Sequence, residues 1–142
     1  MSFDAPPIVK QAERVMREVE VAVRHFARYH KYSVGADLRD GARDVARLTH
    51  RAWRDSGRKS EWIDALVFAV DDLKLTLQLA KELQAFRSFS QFEGLARLVS
   101  DLGRQCGGWQ RQRRQGQDGR TSSSAQRSQR LSACDASSEA RS

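Results

Sequence analysis

Between Ile8 and Trp109 the apolar residues recur at steps of three and four, the spacing of one helix face. The first run is Ile8, Ala12, Val15, Val19, Ala22 and Phe26, widened by Met16 and Val23. It predicts a helix over about 6–28, with Pro6 and Pro7 tolerated in its first turn and Asp4 available as a cap. Leu38, Ala42, Val45, Thr49 and Ala52 mark a second helix over 33–54, capped by Ser33 and ended before Asp55-Ser56-Gly57. A third, over 60–86, is apolar around most of its girth, with Trp62, Ile63, Leu66, Val67, Phe68, Val70, Leu73, Leu75, Leu77, Leu79, Leu83 and Phe86. Only a narrow polar strip of Asp64, Asp71, Gln78, Lys81 and Glu82 remains, so more than one neighbour is needed to cover this helix. In a four-helix monomer of this length part of that surface faces water, which implies oligomerisation. Ser88 with Gln91 and Ser90 with Glu93 have capping-box spacing and open a fourth helix over 90–113. Its stripe is Phe92, Leu95, Val99, Leu102, Cys106 and Trp109. Gly107-Gly108 inside that pattern implies close backbone packing or an ending helix, since each interior glycine costs about 1 kcal/mol relative to alanine.

Four such helices, each about 30–38 Å long and joined by short turns, predict an all-α fold, an up-down-up-down four-helix bundle over 1–114. From Gln115 the apolar pattern vanishes into Ser, Gln and Arg, which predicts a disordered tail over 115–142. There Arg120, Arg127, Arg130 and Arg141 are nearly balanced by Asp118, Asp135 and Glu139, so the basic excess belongs to the helices.

That excess changes the picture. With 25 Lys+Arg against 18 Asp+Glu the net charge is +7 and the pI about 10.1, which favours a polyanionic partner. The second helix bears a basic ladder, Arg39, Arg43, Arg47 and Arg51 at steps of four, followed by Arg54, Arg58 and Lys59. Asp40 can reach Arg43, and Asp44 can reach Arg47, so the anion contacts are placed first at Arg47, Arg51, Arg54, Arg58 and Lys59. Arg14, Arg17, Arg24 and Arg28 lie on the outward side of the first helix, and Arg97, Arg104 and Arg111 recur at sevens on the fourth. No aromatic-rich platform for single strands is evident, so binding is expected to be backbone-directed and salt-dependent.

Catalytic chemistry is not legible. His25, His30 and His50 stand in no metal-ligand spacing, no Glu-x-x-His pair is present, and the glycines lack the Lys-Ser/Thr that completes a phosphate loop. Asp71 and Asp72 diverge by about 100° on a helix. The expectation is a protein that is no enzyme and has no metal and no cofactor. No leader or membrane-length apolar run is seen, and Cys106 and Cys134 have no disulfide context, which reads as a cytoplasmic chain with Cys106 in the core.

HFARYHKYSVGADLRDGARDVARL, DDLKLTLQLAKELQAF and SQFEGLARLVSDLGRQCGGW, in that order, resemble the accessory variability determinant of diversity-generating retroelements, which belongs with the four-helix proteins of ribosomal-RNA intervening sequences. The likeness covers about Arg24 to Trp109; its most specific pieces are Tyr32-Ser-Val-Gly35, Leu79-Ala-Lys-Glu-Leu83 and Leu102-Gly-Arg-Gln-Cys-Gly-Gly-Trp109. The resemblance implies a ring or barrel-like homopentamer that binds the element's reverse transcriptase and RNA or DNA, supporting mutagenic retrohoming without catalysis of its own. It also implies basic contacts along the third helix, where Lys74 and Lys81 fit and Gln78 stands in place of an expected Arg. The competing expectation is a structural four-helix oligomer of the intervening-sequence family whose charge serves solubility.

Overall fold

A computed structural model describes the backbone of residues 5–140 and the side chains of 5–116. It is all-helical, with no strand among the described residues: α1 (Pro7–Arg24), a single turn α2 (Arg28–Lys31), α3 (Val34–Arg54), a 3₁₀ turn (Ser56–Arg58), α4 (Lys59–Glu82) and α5 (Phe89–Ala140). The chain divides into two compact units, Met1–Gln110 and Arg111–Ser142. In the first, α1, α3, α4 and the start of α5 pack against one another around one core. The second is helical in backbone to Ala140; the side chains of the expected tail beyond Gly116, like Asp4, lie outside the described residues.

The predicted stripes form that core. Leu38, Ala42, Val45, Thr49 and Ala52 of α3 are all buried, as are Leu95, Val99, Leu102 and Cys106 of α5. Burying a leucine such as Leu38 contributes about 1.5–3 kcal/mol. Thr49 is admitted because its hydroxyl donates to Val45 O at 2.7 Å, leaving no unpaired polar group. On α1 the buried first position is Val9 rather than Ile8. α4 buries Ile63, Leu66, Val70, Leu73, Leu77 and Ala80, and leaves Phe68 and Leu75 71% exposed, with Leu79 and Leu83 also outward.

Within the first unit two helix ends and one cap differ from the sequence pattern. α1 stops at Arg24 rather than Arg28, because Phe26 turns inward and meets Phe86 edge to face at 5.2 Å; no proline or glycine announces that break. α4 stops at Glu82 rather than Phe86. Gln84 takes a left-handed φ of 58°, while Ala85 N–H donates to Ala80 O at 2.9 Å and Gln84 N–H to Lys81 O at 3.0 Å, the paired bonds of a Schellman stop. Ser33 is no side-chain cap: its hydroxyl donates backward to Tyr29 O at 2.9 Å. At α5, by contrast, Ser88 Oγ accepts from Gln91 N–H at 3.1 Å, selecting the earlier of the two possible caps.

Two glycine sites are informative. A Cβ on Gly35 would stand 2.9 Å from both His30 O and Val23 Cγ1, so α3 approaches the α1–α2 turn as only glycine permits. A Cβ added at Gly107 or Gly108 would meet no other part of the fold within 4 Å, and α5 continues past them; among the described residues neither close packing nor a helix end explains the pair.

Candidate nucleic-acid interface

The α3 ladder splits in two. Its first half is neutralised: Arg39 Nε lies 3.2 Å from Glu20 of α1, Arg43 Nη1 4.0 Å from Asp40 and Arg47 Nη2 3.2 Å from Asp44. Arg47 therefore belongs with the paired arginines and not with the working end to which the sequence pattern assigned it. Exposed pairs of this kind contribute only about 0.2–1 kcal/mol.

Past Arg47 the ladder exchanges acids for aromatic rings. The Arg51 guanidinium lies over Trp62 at 5.3 Å, Arg54 over Trp53 at 5.4 Å and the Lys59 ammonium over Trp109 at 5.0 Å, and neither Arg51 nor Arg54 forms an ion pair with a described residue. His50 adds its ring edge to Trp53 at 5.5 Å. Each of the three tryptophans, distant in sequence and half-buried, thus faces a cation from 51–59. A ring face orients each cation without supplying an opposite charge to neutralise it. Trp62 and Trp109 meet cations from a neighbouring segment, a tertiary pairing that helical spacing does not display.

The α3–α4 corner is pinned beneath them. Trp62 Nε1–H donates to Asp55 Oδ2 at 3.0 Å. This bond, with the Arg58 and Gly57 backbone N–H groups and the Arg58 charge, holds the Asp55 carboxyl below its usual range against the opposing effect of burial. Asp55 thereby takes up part of the charge of Arg58, leaving Arg51 and Arg54 as the corner's unneutralised guanidinium groups.

The remaining candidates scatter. Arg14, Arg17 and Arg24 are exposed on α1 and Arg28 on α2. Arg97 is paired with Glu93 at 2.5 Å and Arg104 with Asp101, so two of the three arginines of the α5 row face acids. Lys81 lies over Phe92 at 5.2 Å. Lys74 leans across Gly103, where an added Cβ would meet its Nζ at 2.9 Å. Arg111 is exposed in the second unit.

No group of three or more His, Cys, Asp or Glu side chains among the described residues could hold a metal. Cys106 is fully buried, and burial pushes its thiol up to about 12, so it is protonated and inert near neutrality. No helix among the described residues is long and apolar enough to cross a membrane. No protein-family model matches the chain, and no curated protein matches it.

Proposed function

We propose that this protein is a non-enzymatic accessory subunit of a diversity-generating retroelement, acting in the cytoplasm, where it binds the element's reverse transcriptase and its template RNA or cDNA through a basic surface. The observation that carries the nucleic-acid part is the corner at Arg51, Arg54 and Lys59, where cations are held over Trp62, Trp53 and Trp109 rather than over carboxylates. Guanidinium groups so placed present forks to phosphates, and the rings beneath offer faces to unpaired bases. The up-down-up-down reading is supported by the pairing of Gln11 with Leu98 and His25 with Gln91, and of Asp64 with Gln110. Assembly into a ring, a homopentamer by resemblance, is supported by the outward Phe68, Leu75, Leu79 and Leu83 of α4, which leave an apolar stripe without a partner in the single chain.

The second reading, a structural oligomer without a nucleic-acid role, draws on the acids that cover Arg39, Arg43, Arg47, Arg97 and Arg104. A reverse-transcriptase gene should stand beside this one, and co-purification with that polymerase, together with a titration of labelled structured RNA at rising salt, separates the two. Retention of the polymerase and salt-sensitive binding support the first reading; undetectable or salt-insensitive binding supports the second.

A further inference from the structure

Away from the corner, α1 and α3 enclose a cleft of about 390 Å³, within the size range of small-ligand sites. Four guanidinium groups line it, Arg17 and Arg24 from α1 and Arg39 and Arg43 from α3, against a single carboxylate, Glu20. The spacing explains the convergence: residues seven apart on α1 and four apart on α3 each keep to one face, and the two faces meet across the cleft. Arg17 and Arg24 are exposed and have no ion pair with a described residue, and Arg43 holds Asp40 only at the 4.0 Å limit. Arg39 is different. Its Nε is buried and lies 3.2 Å from Glu20 without hydrogen-bond geometry, so the one acid lining the cleft leaves that N–H unsatisfied. Beside this charge stand Met16 and a half-exposed Val21, an apolar wall that no anion requires.

We propose that this cleft binds a nucleoside 5′-phosphate: the phosphomonoester among Arg17, Arg24 and Arg43, with Arg39 as the inner donor braced by Glu20, and the nucleoside against Met16 and Val21. A monoester suits the site better than an internal diester because it brings about 1.5–2 negative charges and three acceptor oxygens to four arginines that Glu20 and Asp40 leave with an excess of two. The same chemistry is carried by a free mononucleotide and by the 5′ end of a strand. The inference does not depend on the retroelement role.

Both sources are tested on the full-length chain. One oligonucleotide labelled at its 3′ end is prepared with a 5′-phosphate or a 5′-hydroxyl for fluorescence anisotropy, and adenosine 5′-monophosphate is compared with adenosine by titration calorimetry. The phosphorylated form of at least one pair should bind about tenfold more tightly. That preference should vanish in Arg17→Ala/Arg24→Ala, whose exposed positions leave helicity by circular dichroism unchanged. A preference confined to the oligonucleotide assigns the site to a strand end, and one that includes the mononucleotide assigns it to the free ligand. Equal binding of both members of both pairs, or a preference that survives Arg17→Ala/Arg24→Ala, overturns the proposal. Arg51→Ala/Arg54→Ala separates this site from the corner: it should weaken both oligonucleotides alike and leave their ratio intact.

Discussion

Replacing Arg51 and Arg54 by alanine tests whether the ring-backed cations are the ones that meet phosphate. Each phosphate neutralised on a single strand contributes about −0.7 to the slope of log K against log salt concentration, so two lost contacts should flatten that slope by about 1.4. The structure supplies an internal comparison of equal charge. Arg43 and Arg47 lie on the same helix but face Asp40 and Asp44, and Arg43→Ala/Arg47→Ala removes charge that is already half-cancelled. Because these two arginines are held by acids and are not assigned to phosphate, this variant should change the slope by clearly less than the first. The assay is anisotropy of a labelled single-stranded RNA over a series of salt concentrations, with quenching of tryptophan emission followed in the same titration. If both double variants flatten the slope equally, binding follows overall charge and the distinction drawn between the two halves of the ladder is wrong. Quenching that is lost with Arg51 and Arg54 locates the contact at Trp53 and Trp62.

Further expectations concern stability and reactivity. Gly35→Ala forces a methyl to within 2.9 Å of His30 O and Val23, and should destabilise by about 1–3 kcal/mol in a urea titration; an unchanged midpoint would refute the close approach. Gln84→Gly relieves a left-handed residue at a Schellman stop and should raise stability by about 0.5–1 kcal/mol, seen as a later midpoint at unchanged slope. Cys106 should resist alkylation at pH 8 in the native protein and react at once in denaturant, with Cys106→Ser losing the unmasked signal. For Asp55 the folded carboxyl is the stronger acid, so its stabilisation is complete above its ordinary value of 3.8 and is lost as pH falls through the lower folded value. The stability gap between the native chain and Asp55→Asn should therefore stay constant at higher pH and close only in that acid range.

Helix existence and core faces were legible because burial acts on a 3.6-residue period that the chain displays directly: every stripe residue from Leu38 to Ala52 is buried. The helix ends at Arg24 and Glu82 were not, because they are set by Phe26 reaching Phe86 and by a glutamine where a stop signal is normally glycine. The pairs of Arg43 with Asp40 and Arg47 with Asp44 are local and could be read by counting. Glu20 on Arg39, and Trp62 and Trp109 under cations from another segment, depend on which helices become neighbours, and no spacing in the sequence carries that information.

Lys74 gains a second meaning from Gly103. The lysine's Cε and Nζ lie against the place where a side chain at position 103 would begin, so its tip is folded toward α5. The glycine is in effect a notch that stows a charge, and the width of the notch sets how far that charge projects. A single methyl at 103 would evict the lysine tip, a flexible end that yields cheaply, and so lengthen the reach of a basic residue without altering the number of charges. The electrostatic profile of α4 is thus adjustable from a neighbouring helix, by a residue that bears no charge itself.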